Sequence, residues 1–152
     1  MSWLRVVLFS LVGIWGQAFF SAWRPAGVVP SIAIMVILLI SLWRPASEAV
    51  MVSVITGIAL DATSGNDFGL RTGYYSLLAL IVVILVQTGF ELERLVSFSL
   101  VVVAASFVWL VLLVGTSLAS GGAISIGTVG GVILVEITFN VLLAWAMMPL
   151  MR

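Results

Sequence analysis

Gly57-Ile58-Ala59-Leu60-Asp61-Ala62-Thr63-Ser64-Gly65-Asn66-Asp67-Phe68-Gly69-Leu70-Arg71-Thr72-Gly73 holds two of the six acids, one of the six arginines and four of the fourteen glycines of this chain. On both sides of it the sequence is close to continuous hydrocarbon. Two apolar runs meeting at one polar, glycine-rich interruption read as two membrane helices joined by a corner. The rest of the 152 residues fit that reading: 63% are hydrophobic and 8% charged, with a mean hydropathy of +1.34. Soluble domains average roughly 45–50% apolar and about 25% charged. A chain this short cannot bury so much apolar surface in water. It is an integral membrane protein, and its fold class is all-α.

The composition also excludes chemistry. Net charge is zero and all six cations are arginines, so nothing favours nucleic acid or a polybasic lipid-binding surface. There is no Cys and no His, which removes disulfides, thiolate nucleophiles, Ser-His triads and His- or Cys-ligated metals. No catalytic residue, cofactor or metal site is expected.

A helix needs about 20 mostly apolar residues to cross about 30 Å of hydrocarbon. Working outward, the corner joins a third span at 48–63 to a fourth at 72–90. Before them come spans at 3–22 and 28–43, with Pro30 tolerable in a first turn. After them come spans at 95–118 and 126–150. The expectation is one transmembrane domain over 1–152, a bundle of six helices with short loops. The first run lacks a clear cleavage site and reads as a retained span. Ser47 is the expected cap of the third. Trp-Arg-Pro-Ala occurs at Trp23 to Ala26 and again at Trp43 to Ala46; a shared way of ending a membrane helix explains this more cheaply than a duplication. With six spans, Arg5, Arg44, Arg94 and Arg152 share one side against Arg24 and Arg71. The excess of arginine places both termini in the cytoplasm.

Polar residues inside the spans are the candidate contacts. Gly13 and Gln17 share a face of span one. Ser53, Gly57 and Asp61 form a stripe on span three, with Thr56 beside it. Gly127 and Gly131 make a G-x-x-x-G pair on span six. Small residues let helices approach closely, so Gly13, Ser53, Gly127 and Gly131 read as helix-packing positions. Glu136 is near mid-membrane, where a carboxylate costs several kcal/mol, and Asn140 extends its face. Gln17, Glu136 and Asn140 therefore form either a polar knot between helices or a face for a ligand or partner.

At the corner, Asp61 near a helix C-terminus and Arg71 near a helix N-terminus both oppose the macrodipole. Two such violations ten residues apart suggest compensation. Asp61 either pairs with Arg71 or caps the free N–H groups that open span four. Gly65 fits the left-handed position that ends span three, while Gly69 and Gly73 would leave room for close backbone contact. A catalytic dyad of Asp61 and Asp67 is disfavoured: both lie in one turn, without the surrounding motifs of lipoprotein signal peptidases or other intramembrane aspartyl proteases.

Gly57-x-x-x-Asp61-x-x-x-Gly65-x-x-x-Gly69-Leu70, leading through Arg71 and Gly73 into Tyr74-Tyr75, resembles the most recognisable segment of the MreD family of bacterial rod shape-determining proteins. The Pro25 to Pro30 opening of span two, the Arg44-Pro45 turn and the length agree. The resemblance implies a non-enzymatic subunit of the elongation machinery in the bacterial cytoplasmic (inner) membrane. It would bind an MreC-like bitopic protein and help regulate peptidoglycan synthesis and cell shape. It would also connect to RodA, a class B penicillin-binding transpeptidase and MreB. The family's layout is similar to the substrate-binding subunits of energy-coupling-factor transporters, and a small-molecule-binding transporter subunit is the alternative.

Overall fold

A computed structural model of the chain describes residues 3–23, 31–64, 69–90, 95–119 and 126–147. These form six helices and no strand: α1 (Trp3–Trp23), α2 (Ile32–Trp43), α3 (Ala46–Ser64), α4 (Leu70–Gln87), α5 (Leu95–Ala119) and α6 (Ile126–Met147). Stretches of three of them, Ala46–Thr63, Leu70–Gln87 and Val96–Ala119, are long and apolar enough to cross a membrane. The other three carry shorter apolar stretches, Val6–Phe19, Ile32–Trp43 and Leu134–Leu143.

The surface is the inverse of a water-soluble one. Trp15 is 72% exposed, and Leu4 and Leu134 are each 70% exposed. Leu77, Val96, Leu100, Leu118 and Leu142 also face outward. Apolar exposure spread over all six helices far exceeds the isolated patches of a soluble monomer, and hydrocarbon is the solvent that tolerates it.

The inside is organised around α2. Its 12 residues measure about 18 Å at 1.5 Å each, well short of a bilayer core. Yet Ala33, Ile34, Met35, Ile37 and Leu38 are at most 1% exposed. α2 packs against each of the other helices. On one side it joins a cluster with Tyr75, Leu78, Ala79 and Val82 of α4 and Phe98, Val102 and Trp109 of α5. On the other, Val36 and Ile40 join Val6, Ala49 and Val52 from α1 and α3. Hydropathy alone cannot distinguish a helix apolar because lipid surrounds it from one apolar because protein does. α2 is the second kind.

Several boundaries differ from expectation. Ser47 does not cap α3; it lies inside the helix, whose first turn is closed by Glu48 and Ala49 N–H groups on the Pro45 carbonyl at 2.9 and 3.2 Å. α4 begins at Leu70, two residues early, and stops at Gln87 rather than 90. Its end is a Schellman turn. Gly89 is left-handed at φ 80°, and Gly89 and Phe90 donate to the Val86 and Leu85 carbonyls at 3.1 Å each. The expected starts and ends at 28, 148–150 and the arginine-bearing turns at 24 and 94 lie outside the described residues.

Candidate functional site

The most extensive helix pairing is between α3 and α4, and the residues quoted at the outset build it. Gly57 is buried against the backbone of α4: a Cβ there would lie 2.4 Å from Thr72 Cα and 2.9 Å from Thr72 N. No side chain fits that approach, so α3 and α4 are in backbone contact at this level. One turn further on, Asp61 is 1% exposed. Its Oδ2 accepts from Gly69 N at 2.9 Å, Thr72 N at 3.0 Å and Thr72 Oγ1 at 2.6 Å. Its Oδ1 accepts from Arg71 N at 3.0 Å.

These are the N–H groups a helix leaves without intrahelical partners. A capping side chain ordinarily belongs to the residue just before the helix and reaches the second and third helical residues. Here that position is Gly69, which has no side chain and sits at φ 98°. Asp61 of the preceding helix performs the capping instead. Of the two alternatives raised by the sequence, the carboxylate meets Arg71 through the backbone. The Arg71 guanidinium is turned the other way, with Nη1 donating to the Leu60 carbonyl at 2.8 Å. Each charge is misplaced on its own helix and favourably placed on its neighbour's: the anion at the start of α4, the cation near the end of α3.

Two glycine expectations need correction. Gly73 is exposed, and a Cβ there would meet nothing within 4 Å, so it makes no close contact. Gly69 likewise has open space; its requirement is the left-handed backbone, not room. Gly65 and Asp67 lie outside the described residues. Thr72 was missed by sequence reasoning, although it lies within the corner and, among the described residues, supplies two of the four donors to Asp61.

A second capped N-terminus lies in the interior. The Ser31 side chain makes no cap of its own. Ser31 N instead donates to Asn140 Oδ1 of α6 at 3.0 Å, and Ala33 N makes a long 3.4 Å bond to Gln17 Oε1 of α1. Asn140, 1% exposed, also donates through Nδ2 to Ser106 Oγ of α5 at 2.9 Å. Tyr74 donates to the Ala105 carbonyl. The rings of Tyr74, Tyr75 and Trp109 pack with centroids 5.1 to 6.0 Å apart. Gln17 and Asn140 are thus brought together on the start of α2. Glu136, 6% exposed, lies one turn before Asn140. Among the described residues nothing hydrogen-bonds to its carboxyl.

The packing residues divide in the same way. A Cβ on Gly13 would lie 3.2 Å from Thr56 Cγ2, which sets the α1–α3 contact. Ser53 is fully buried and bonds within its own helix, to the Val50 carbonyl at 2.7 Å. Gly127 and Gly131 are in the first turns of α6, and what they face lies outside the described residues. Gly16, not anticipated, meets Ile32 of α2, with a Cβ only 2.7 Å from its Cγ2.

Comparisons with protein-family profiles, curated proteins and solved structures return no match.

Proposed function

We propose that this chain is a non-enzymatic membrane subunit of a bacterial cell-elongation complex. It binds an MreC-like single-pass protein through its helices and helps regulate peptidoglycan synthesis. The observation that carries this reading is the corner from Gly57 to Thr72. The residues by which the sequence resembles the MreD family include a glycine at a backbone contact, the cap Asp61 and the left-handed Gly69. That resemblance therefore rests on one physically coherent unit rather than on scattered matches. All six helices lie in the inner membrane in this reading, with both termini cytoplasmic, so reporter fusions at residues 26, 68 and 122 should report the external side. RodA, the class B transpeptidase and MreB are reached through the partner.

The test is copurification of the tagged chain with an MreC-like partner encoded beside it. Photo-crosslinkers on the outward faces of α1, α3 and α6 would locate the contact. Recovery of an ATPase pair in place of a bitopic protein would overturn the proposal. A small-molecule-binding transporter subunit is the second reading, favoured by the buried Glu136, whose carboxyl has no hydrogen-bond partner among the described residues. Against it, Gln17 and Asn140 already serve the start of α2.

A further inference from the structure

Between α1 and α2 runs a groove of about 230 Å³. Its walls are wholly apolar: Phe9 and Val12 from α1, and Val36, Leu39, Ile40 and Trp43 from α2. Arg44, just past the end of α2, also lines the groove, through apolar atoms. Trp43 beside it is 48% exposed. Tryptophan and arginine at a helix end mark the level of the lipid headgroups, and an arginine there keeps its stem in hydrocarbon and its charge toward water. Among the described residues no acid pairs with the Arg44 guanidinium, Glu48 of the next turn included.

We propose that this groove binds an anionic phospholipid, one acyl chain lying along α2 and the phosphate held by Arg44. The dimensions favour a lipid over a helix. Val36 to Arg44 spans eight residue steps, about 12 Å. A volume of 230 Å³ over that length is far less than a helix occupies. A transmembrane helix is about 10–12 Å across and could enter only with isolated side chains. Charge selects the headgroup: a zwitterionic lipid offsets its phosphate with its own ammonium, whereas a phosphatidylglycerol-type headgroup offers Arg44 an anionic phosphate without a competing cation.

This inference rests on the membrane reading of the chain, and the two can fail separately. The full chain, purified in detergent, is titrated with dioleoyl-phosphatidylglycerol or dioleoyl-phosphatidylcholine, and retained lipid is counted by native mass spectrometry. The expected result is preferential retention of the anionic lipid, weakened about fivefold by Arg44→Gln, since one cation near a lipid surface contributes about that factor. Leu39→Trp, which fills the groove, should abolish retention while leaving Arg44 in place; if that variant does not fold, the Arg44→Gln result decides. Equal retention of both lipids, or no change in Arg44→Gln, overturns the site. So does a photo-crosslinker at Leu39 that traps a protein in native membranes instead of lipid. Recovery of the chain in aqueous extracts without detergent would overturn the membrane reading itself.

Discussion

Two helix starts in this bundle, those of α4 and α2, are closed by side chains from other helices, and the means differ. At α4 a single carboxylate, Asp61, gathers four donors lying eight to eleven residues further along the chain. At α2 two neutral amides share the task, one bond each, from sixteen residues before and 109 residues after. The first arrangement is local and charged, and it fixes one pair of helices. The second is long-range and weak bond by bond, and it ties the central helix to the first and last. Charge concentrates stability where two neighbouring helices meet; amides spread it across the bundle.

Removing the charged cap should have the largest effect. Asp61→Ala takes the acceptor from four part-buried donors, and bonds to charged groups are worth about 1.5–3 kcal/mol each. A loss of more than about 3 kcal/mol is expected, read as poor accumulation in the membrane and a collapsed melting temperature in detergent. Exchanging the charges (Asp61→Arg with Arg71→Asp) should restore nothing, because the carboxylate works through the backbone of α4. Recovery in the double variant would show that side-chain pairing dominates instead.

Gly57→Ala comes next. Its Cβ would press on the α4 backbone, and overpacking of this kind costs about 1–3 kcal/mol. Thermal unfolding of the purified protein measures it, and an unchanged midpoint would mean that α3 and α4 can separate freely. Asn140→Leu should cost about 1–2 kcal/mol by leaving Ser31 N and Ser106 with fewer partners. It should also raise hydrogen exchange at the start of α2 without affecting α4; equal exchange at both helices would erase the distinction between the two caps. The smallest effect belongs to Gly73→Ala. With open space around it and a helical backbone, alanine should be neutral or stabilise by about 0.5–1 kcal/mol. A loss there would mean that Gly73 faces a partner helix.

How far the sequence could be read follows from the same contrast. Asp61 and Arg71 each oppose their own helix dipole, and that conflict is visible in a linear chain because the two helices are joined by one short corner. The cap of α2 gave no such signal. Asn140 and Gln17 stand out as polar residues in apolar helices, but only the packed bundle shows that they meet at Ser31 and Ala33. Glu136 stands out by its cost in hydrocarbon, and in the structure it is 6% exposed. The six helices were readable from hydropathy, while the brevity and centrality of α2 were not, since lipid and protein interiors demand the same residues. Gly73 shows the opposite error: a glycine one turn beyond two structurally required ones invited a packing role that its open surroundings do not support.

The reach from Ser31 to Asn140 has a consequence for biogenesis. A chain made from its N-terminus inserts α2 long before α6 exists. Until the last helix docks, the Ser31 amide must find another partner or remain unsatisfied in a medium without water. Closure of the centre therefore waits for α6. A nascent chain stalled before residue 140 would present an open helix start to whatever surveys the membrane for unfinished proteins.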